Sequence, residues 1–178
     1  MTPTVVLDAS VAITLVLRQV DAEEVERRIG HWLRSGVELS VPTHFWLETS
    51  NALMRRHGLV GSELMEAIHR LDELGLTTVV VDRPLLLLAL DRAERRALTA
   101  YDATYLALAE LLDAMLFTSD RELLSAAGDR GLSPGSAREH RLSEKPAPSG
   151  SERQPTWPDY SGASAYLAKL RAEATQAT

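Results

Sequence analysis

The chain has 178 residues, no cysteine, 45% hydrophobic and 25% charged residues, and a formal net charge of −6. Those numbers suit one globular domain with room for a tail. They exclude disulfides and thiolate metal sites, as expected of a protein in the reducing cytoplasm. The acidic balance also argues against a general, charge-driven grip on nucleic acid, but it leaves room for a local basic rim around an acidic, metal-filled centre.

The first element is a short β-branched run, Val5-Val6-Leu7, that begins just after Pro3 and ends in Asp8. It reads as a buried parallel strand feeding straight into an apolar helix over residues 11–17. No basic region precedes it and Asp8 interrupts it, so it is not a signal peptide. A second helix starts near Asp21, with Asp21 as cap and Glu24 at the capping-box position; Val25, Ile29, Trp32 and Leu33 repeat at helical spacing, and Gly36 stops it. Residues 37–41 make a second strand closed by Pro42.

Thr43 caps a third helix that runs to His57 and stops at Gly58, with Glu48, Asn51 and Arg55 on one polar stripe. Ser62 begins a fourth helix, and residues 77–81 form a third strand. Asp82 and Pro84 start a fifth helix, which carries Arg92, Arg95 and Arg96; its apolar run over 85–90 is far too short to cross a bilayer. Thr99 opens a sixth helix over 101–112, and residues 114–118 are a fourth strand. Ser119 with Glu122 forms a capping box for a seventh helix that ends near Gly128. Strands alternating with helices at this spacing predict βαβ units and a mainly parallel sheet.

Beyond Gly131 the character changes. Residues 132–142 hold no apolar run, so a fifth strand is in doubt. Residues 143–162 are rich in Pro and Ser and too poor in apolar groups to fold by themselves, and residues 164–175 could form a short helix. The expected organisation is a domain over 1–142 followed by a tail over 143–178.

The acids carry the chemistry. In an open α/β sheet, ligands bind in the crevice beyond the carboxyl ends of the strands. Asp8 and Asp120 follow strands directly, Asp102 begins a helix leading into a strand, and Glu48 lies on a helix able to lean over the same rim. Each has a plain structural reading. Asp8 can cap the next helix, Glu48 can mark a solvated face, and Asp102 completes a near capping box with Thr99. Asp120 is the reverse case, left spare by the capping of Ser119 and Glu122. Crowded together, four carboxylates raise one another's pKa unless a cation sits between them. Hard oxygen donors without Cys or paired His favour Mg²⁺ or Mn²⁺, a combination suited to phosphodiester hydrolysis.

The motifs Val6-Leu7-Asp8-Ala9-Ser10, Glu48-Thr49-Ser50-Asn51-Ala52-Leu53, Tyr101-Asp102-Ala103-Thr104-Tyr105-Leu106-Ala107-Leu108-Ala109 and Thr118-Ser119-Asp120, in this order, resemble a PIN-domain ribonuclease of the VapC toxin type. The resemblance implies a three-layer α/β/α sandwich in which Asp8, Glu48, Asp102 and Asp120 hold Mg²⁺ or Mn²⁺. Ser10 and Thr118 would be supporting residues, and Asn51 would steady Glu48 or the substrate. Arg55, Arg92, Arg95 and Arg96, if they flank the pocket, would hold RNA phosphates. It further implies an RNA substrate, a homodimer and an antitoxin protein that blocks the site. A PIN-like scaffold that binds a partner without cutting RNA is the alternative. A receiver-type phosphoacceptor would need an acidic pair after the first strand, and a haloacid-dehalogenase phosphatase a second Asp where Ser10 stands, so both are set aside.

Overall fold

The computed structural model describes residues 3–136. In chain order it contains β1 (Thr4–Leu7), α1 (Ala9–Val16), α2 (Ala22–Arg34), β2 (Glu38–Pro42), α3 (His44–His57), α4 (Gly61–Asp72), β3 (Thr77–Val79), α5 (Arg83–Arg96), α6 (Ala100–Leu111), β4 (Met115–Phe117), α7 (Arg121–Ala127) and β5 (Gly131–Leu132). The strands form one sheet in the order β3-β2-β1-β4-β5, and every pairing is parallel. The parallel sheet is the one that the alternation of elements predicts, and with the helices around it this is the α/β/α sandwich that the resemblance implies.

β1 is the centre of the sheet. Its Val5 pairs with Leu39 on one side and Met115 on the other, and all four of its residues are buried. A strand covered on both faces has to be apolar throughout, which is why its sequence shows no alternation. Behind it α6 is buried at every position from 103 to 109, as befits a helix that is apolar all round. Trp32 of α2 closes the core from another side, its ring edge-on to Phe117 at 5.0 Å between centroids. The stops read from glycine hold: Gly36 and Gly58 follow their helices at φ 72 and 70, where a side chain would be strained.

Several local expectations are corrected. Asp21 precedes α2 at φ 74 with no capping hydrogen bond, because a left-handed residue turns its side chain away from the first helical amides. Thr43 makes no cap to α3 either; its hydroxyl instead accepts a hydrogen bond from Val81 N at 3.4 Å. Ser119 does not cap α7. Asp120 does, its Oδ1 accepting from Leu123 N at 2.8 Å, so the carboxylate expected to be spare is partly engaged. A fifth strand does form, but only over Gly131–Leu132, paired with Leu116 and Phe117. Gly131 makes it possible: a Cβ there would meet Leu124 Cδ1 at 2.8 Å and the Leu124 carbonyl at 3.0 Å. The expected tail over 143–178 lies outside the described residues. Among those described, no helix is long and apolar enough to cross a membrane.

Candidate active site

Strand order turns at β1 and β4: from β1 the chain proceeds outward through β2 and β3, then crosses to β4 and β5 on the other side. The carboxyl ends of β1 and β4 therefore flank a topological switch point, where a parallel sheet opens a crevice for ligands. Asp8 follows β1 immediately, and Thr118-Ser119-Asp120 follow β4. The Asp8 amide donates to the Phe117 carbonyl at 3.0 Å, locking the two strand ends together.

Asp8 is 3% exposed. Its Oδ2 accepts from the Thr118 hydroxyl at 2.8 Å, from the Ser10 hydroxyl, and more weakly from Ser10 N at 3.3 Å. The same hydroxyls accept from the turn after β4: Ser119 N donates to Ser10 Oγ and Asp120 N to Thr118 Oγ1, each at 2.9 Å. Ser10 and Thr118 thus strap the Asp120 turn to Asp8. All three bonds to Asp8 fall on Oδ2, and its Oδ1 carries no hydrogen bond among the described residues.

Glu48 projects from α3. Its Oε2 accepts from the Tyr105 hydroxyl at 2.8 Å and lies 3.9 Å from His44 Nε2, a buried nitrogen with no hydrogen-bond partner. Tyr105 comes from the buried helix α6, so its position is as fixed as the core itself. Asp102, at the start of the same helix, accepts from the Thr99 hydroxyl at 2.6 Å, and its amide donates back to Thr99 Oγ1 at 3.1 Å. The capping pair expected at Thr99 and Asp102 is therefore present. It leaves Asp102 in the first turn, where an acid suits the helix dipole.

These carboxylates feel one another. Burial pushes Asp8 above its ordinary 3.8 despite the Ser10 and Thr118 hydroxyls, and the charge of Asp102 adds to the rise. Burial likewise raises Glu48 above 4.5. The Tyr105 hydrogen bond opposes that shift, Asp8 and Asp102 reinforce it, and Arg56 pulls the other way. The Tyr105 phenol is pushed far above 10.0, first by burial and then by the Glu48 charge, so it remains a donor. Burial holds His44 below 6.5, hence neutral. An acidic pocket of hard oxygens that penalise one another's ionisation has the chemistry of a divalent-cation site. Among the described residues, however, no three His, Asp or Glu side chains already stand together as a coordination sphere. Each acid is turned to its own hydroxyl instead: Asp8 to Ser10 and Thr118, Glu48 to Tyr105, Asp102 to Thr99.

The remaining candidates fare unequally. Asn51 is exposed and makes no hydrogen bond to Glu48; Tyr105 performs that task, and nothing local in the sequence separates it from its core neighbours in α6. Arg92 Nε donates to Glu110 at 2.7 Å and its Nη1 to Asp91 at 2.5 Å, while Arg95 donates to Asp91 at 2.8 Å. Arg55 and Arg96 are exposed. The arginine whose charge reaches the pocket is Arg56, two helical turns beyond Glu48.

A parallel α/β/α sandwich with acids at its switch point defines a class, and comparison supplies the family. Residues 5–129, more than half of the chain, match the PIN domain model, and the chain belongs to that family, whose members are nucleases that generally use divalent metal ions. No curated protein sequence matches it. Among solved structures it resembles PAE2754 from Pyrobaculum aerophilum, at 26% identity and a TM-score of 0.56 over 74% of this chain and 84% of that one. It shares its fold with Mycobacterium tuberculosis VapC20, a sarcin–ricin loop cleaving toxin, at 23% identity and a TM-score of 0.55 over 70% of this chain and 95% of the other. A toxin–antitoxin complex from Klebsiella pneumoniae has the same fold at 16% identity and a TM-score of 0.56, over 73% of this chain and 97% of that one.

Proposed function

We propose that this protein is a Mg²⁺- or Mn²⁺-dependent endoribonuclease, the toxin of a type II toxin–antitoxin pair. The observation that carries the reading is Asp8, buried at the switch point with Oδ1 unengaged, with Asp102 near enough to raise its charge cost and with Glu48 near enough to feel the charge of both. Asp8 and Asp102 would be direct metal ligands, being short side chains held at a strand end and a helix start. Glu48 would complete the set from α3, and Asp120 would join from its turn. Ser10 and Thr118 hold Asp8 and that turn in register. When bound, the ion supplies Lewis-acid charge for hydrolysis of the RNA phosphodiester. Tyr105 and His44 both sit at Oε2 of Glu48, so Oε1 is the oxygen left for the ion or for the attacking water.

Family membership and the toxin-like folds of the neighbours support a cognate antitoxin as partner, as in the Klebsiella complex, and RNA as substrate, as for VapC20. In the same reading the protein acts in the cytoplasm as a homodimer, with residues 1–142 as the nuclease domain and 143–178 as an extension. The test is cleavage of RNA by the purified protein with Mn²⁺, with EDTA, and with Asp8→Asn. Cleavage lost in EDTA and in the variant supports the proposal. Cleavage unchanged in either overturns it, and a folded protein that cuts nothing with Mn²⁺ points to the scaffold alternative.

A further inference from the structure

Beside the acids stands a side chain that the cleavage chemistry does not use. Tyr101, immediately before Asp102 in the first turn of α6, is 64% exposed. A large aromatic ring gains nothing for folding from such exposure. Yet this ring is held in place: it lies against His44 at 5.6 Å between centroids, tilted by 56°. His44 in turn meets the buried Tyr105 ring nearly edge-on at 5.0 Å and 71°. The three rings form a row from the core to the surface, and its inner member donates the hydrogen bond to Glu48. The outermost ring is thereby fixed relative to the carboxylates. Leu47, next to Glu48 on α3, is also 76% exposed.

The surroundings pose a problem for any RNA. The pocket is acidic and the whole chain carries −6, so phosphates approaching it meet repulsion rather than attraction. Two of the arginines nearby in sequence are already bound to acids. Arg56 and a bound cation offset part of that repulsion but read no base, so a grip on the bases themselves has to come from something other than charge. A neutral ring presented to solvent supplies it, because every base has a π-face and stacking tolerates any sequence. A base inside a duplex has both faces covered by its neighbours and is unavailable, whereas an unpaired base is free to stack.

We propose that Tyr101 is a stacking platform for an unpaired base next to the cleaved phosphate, the residue that holds this base in register with the acids. The proposal rests on the nuclease reading, and it concerns binding rather than bond cleavage. Tyr101 makes the protein select RNA by the exposure of a base, and the sequence of that RNA is set elsewhere.

The experiment measures binding of a fluorescein-labelled, unstructured RNA oligonucleotide, and of the same sequence held in a hairpin stem, to the full-length Asp8→Asn protein. The measurement is repeated with Tyr101→Ala, Tyr101→Phe and Tyr101→Trp added, after thermal melting has shown each variant folded. We expect Tyr101→Ala to bind the open strand about tenfold more weakly. Tyr101→Phe and Tyr101→Trp should hold their affinity, and the stem should bind weakly throughout. Equal affinity of Tyr101→Ala and its parent overturns the proposal. A Phe variant as weak as the Ala variant also overturns it, since the hydroxyl and not the ring face would be the contact. Size-exclusion chromatography run beside these assays gives a third way to fail: if Tyr101→Ala alters self-association and leaves RNA binding intact, the ring belongs to a contact with a second copy. Cleavage by the wild type with Mn²⁺ is scored separately, so the nuclease reading can fall while the platform stands, and the reverse.

Discussion

Two charges of opposite sign are almost equally hidden, Asp8 at 3% exposure and Arg28 at 4%. Arg28 carries its answer with it. Its Nε donates to Glu24 at 2.6 Å one turn earlier on α2, and its terminal nitrogens donate to the carbonyl and the hydroxyl of Ser136. A buried cation with an anion and two oxygens around it is a closed unit; it ties α2 to the chain beyond β5. Asp8 is surrounded instead by hydroxyls, and the Asp102 charge that reaches it has its own sign. The first arrangement is architecture. The second costs stability and is the kind of perturbed group that gathers where chemistry is done.

The largest expected effect breaks Asp8. Asp8→Asn preserves shape and can still accept from Ser10 and Thr118, yet cleavage should fall by about a thousandfold, or about 4 kcal/mol of barrier. The same change should raise the melting temperature of the metal-free protein by a few degrees. The sign follows from burial: the folded pKa lies above 3.8, so the cost of ionising Asp8 is absent below that pH and grows as pH climbs through the folded value. Melting curves in EDTA should show the variant ahead at neutral pH and level with the parent in acid. A variant that melts lower at pH 7 would mean that the Asp8 charge stabilises the fold, as that of Glu24 does.

Next in size is Tyr105→Phe, which strips Glu48 of its donor while leaving the ring in the core. Groups that orient a metal ligand without touching the ion are worth about 10- to 100-fold in activity or affinity. We expect a loss in that range in Mn²⁺-dependent cleavage, with little change in melting. Loss of folding instead would make the hydroxyl part of the architecture.

This residue also marks where the sequence stops being legible. The order of elements, the parallel sheet and the placing of Asp8 after its strand could all be read from apolar runs and turn residues, because those signals are local. Tyr105 reaches Glu48 across 57 positions of chain, and within an apolar helix it looks like any other core residue. The choice between Ser119 and Asp120 as cap hung on one residue of register, which is decided by the strap from Ser10, 109 residues away, and by Thr118, itself anchored on the distant Asp8. β5 stayed in doubt because two residues make no pattern, and its one telling feature is that Gly131 permits a close approach to Leu124.

The architectural side of the comparison is sharpened by Glu24→Gln, with an effect of about 1–2 kcal/mol. The hydrogen bonds from Arg27 and then Arg28 hold the Glu24 carboxyl down at about 2 instead of 4.5. Its stabilising contribution is therefore complete above pH 4.5 and drains away as pH falls toward 2. The variant should melt lower than the parent at neutral pH, and the gap should close in acid. That is the opposite sign from Asp8→Asn at pH 7, so the two curves measured side by side separate the two kinds of charged group.

The smallest effect is expected at Arg95, where the sequence suggested a phosphate contact. Its side chain is 61% exposed and donates to Asp91 at 2.8 Å, one turn away on α5, while Arg92 bridges Asp91 to Glu110 of α6. An exposed pair of this type contributes about 0.5 kcal/mol or less to folding, since water solvates both partners nearly as well. To hold a phosphate, Arg95 would have to give up Asp91 and leave that acid beside the incoming negative charge. Arg95→Ala should accordingly leave the melting temperature nearly unchanged and RNA cleavage within about twofold of the parent, with the same dependence on salt. A loss of fivefold or more that fades as salt is raised would show that the α5 arginines do face the RNA, and that a helix counted here as architecture belongs to the site.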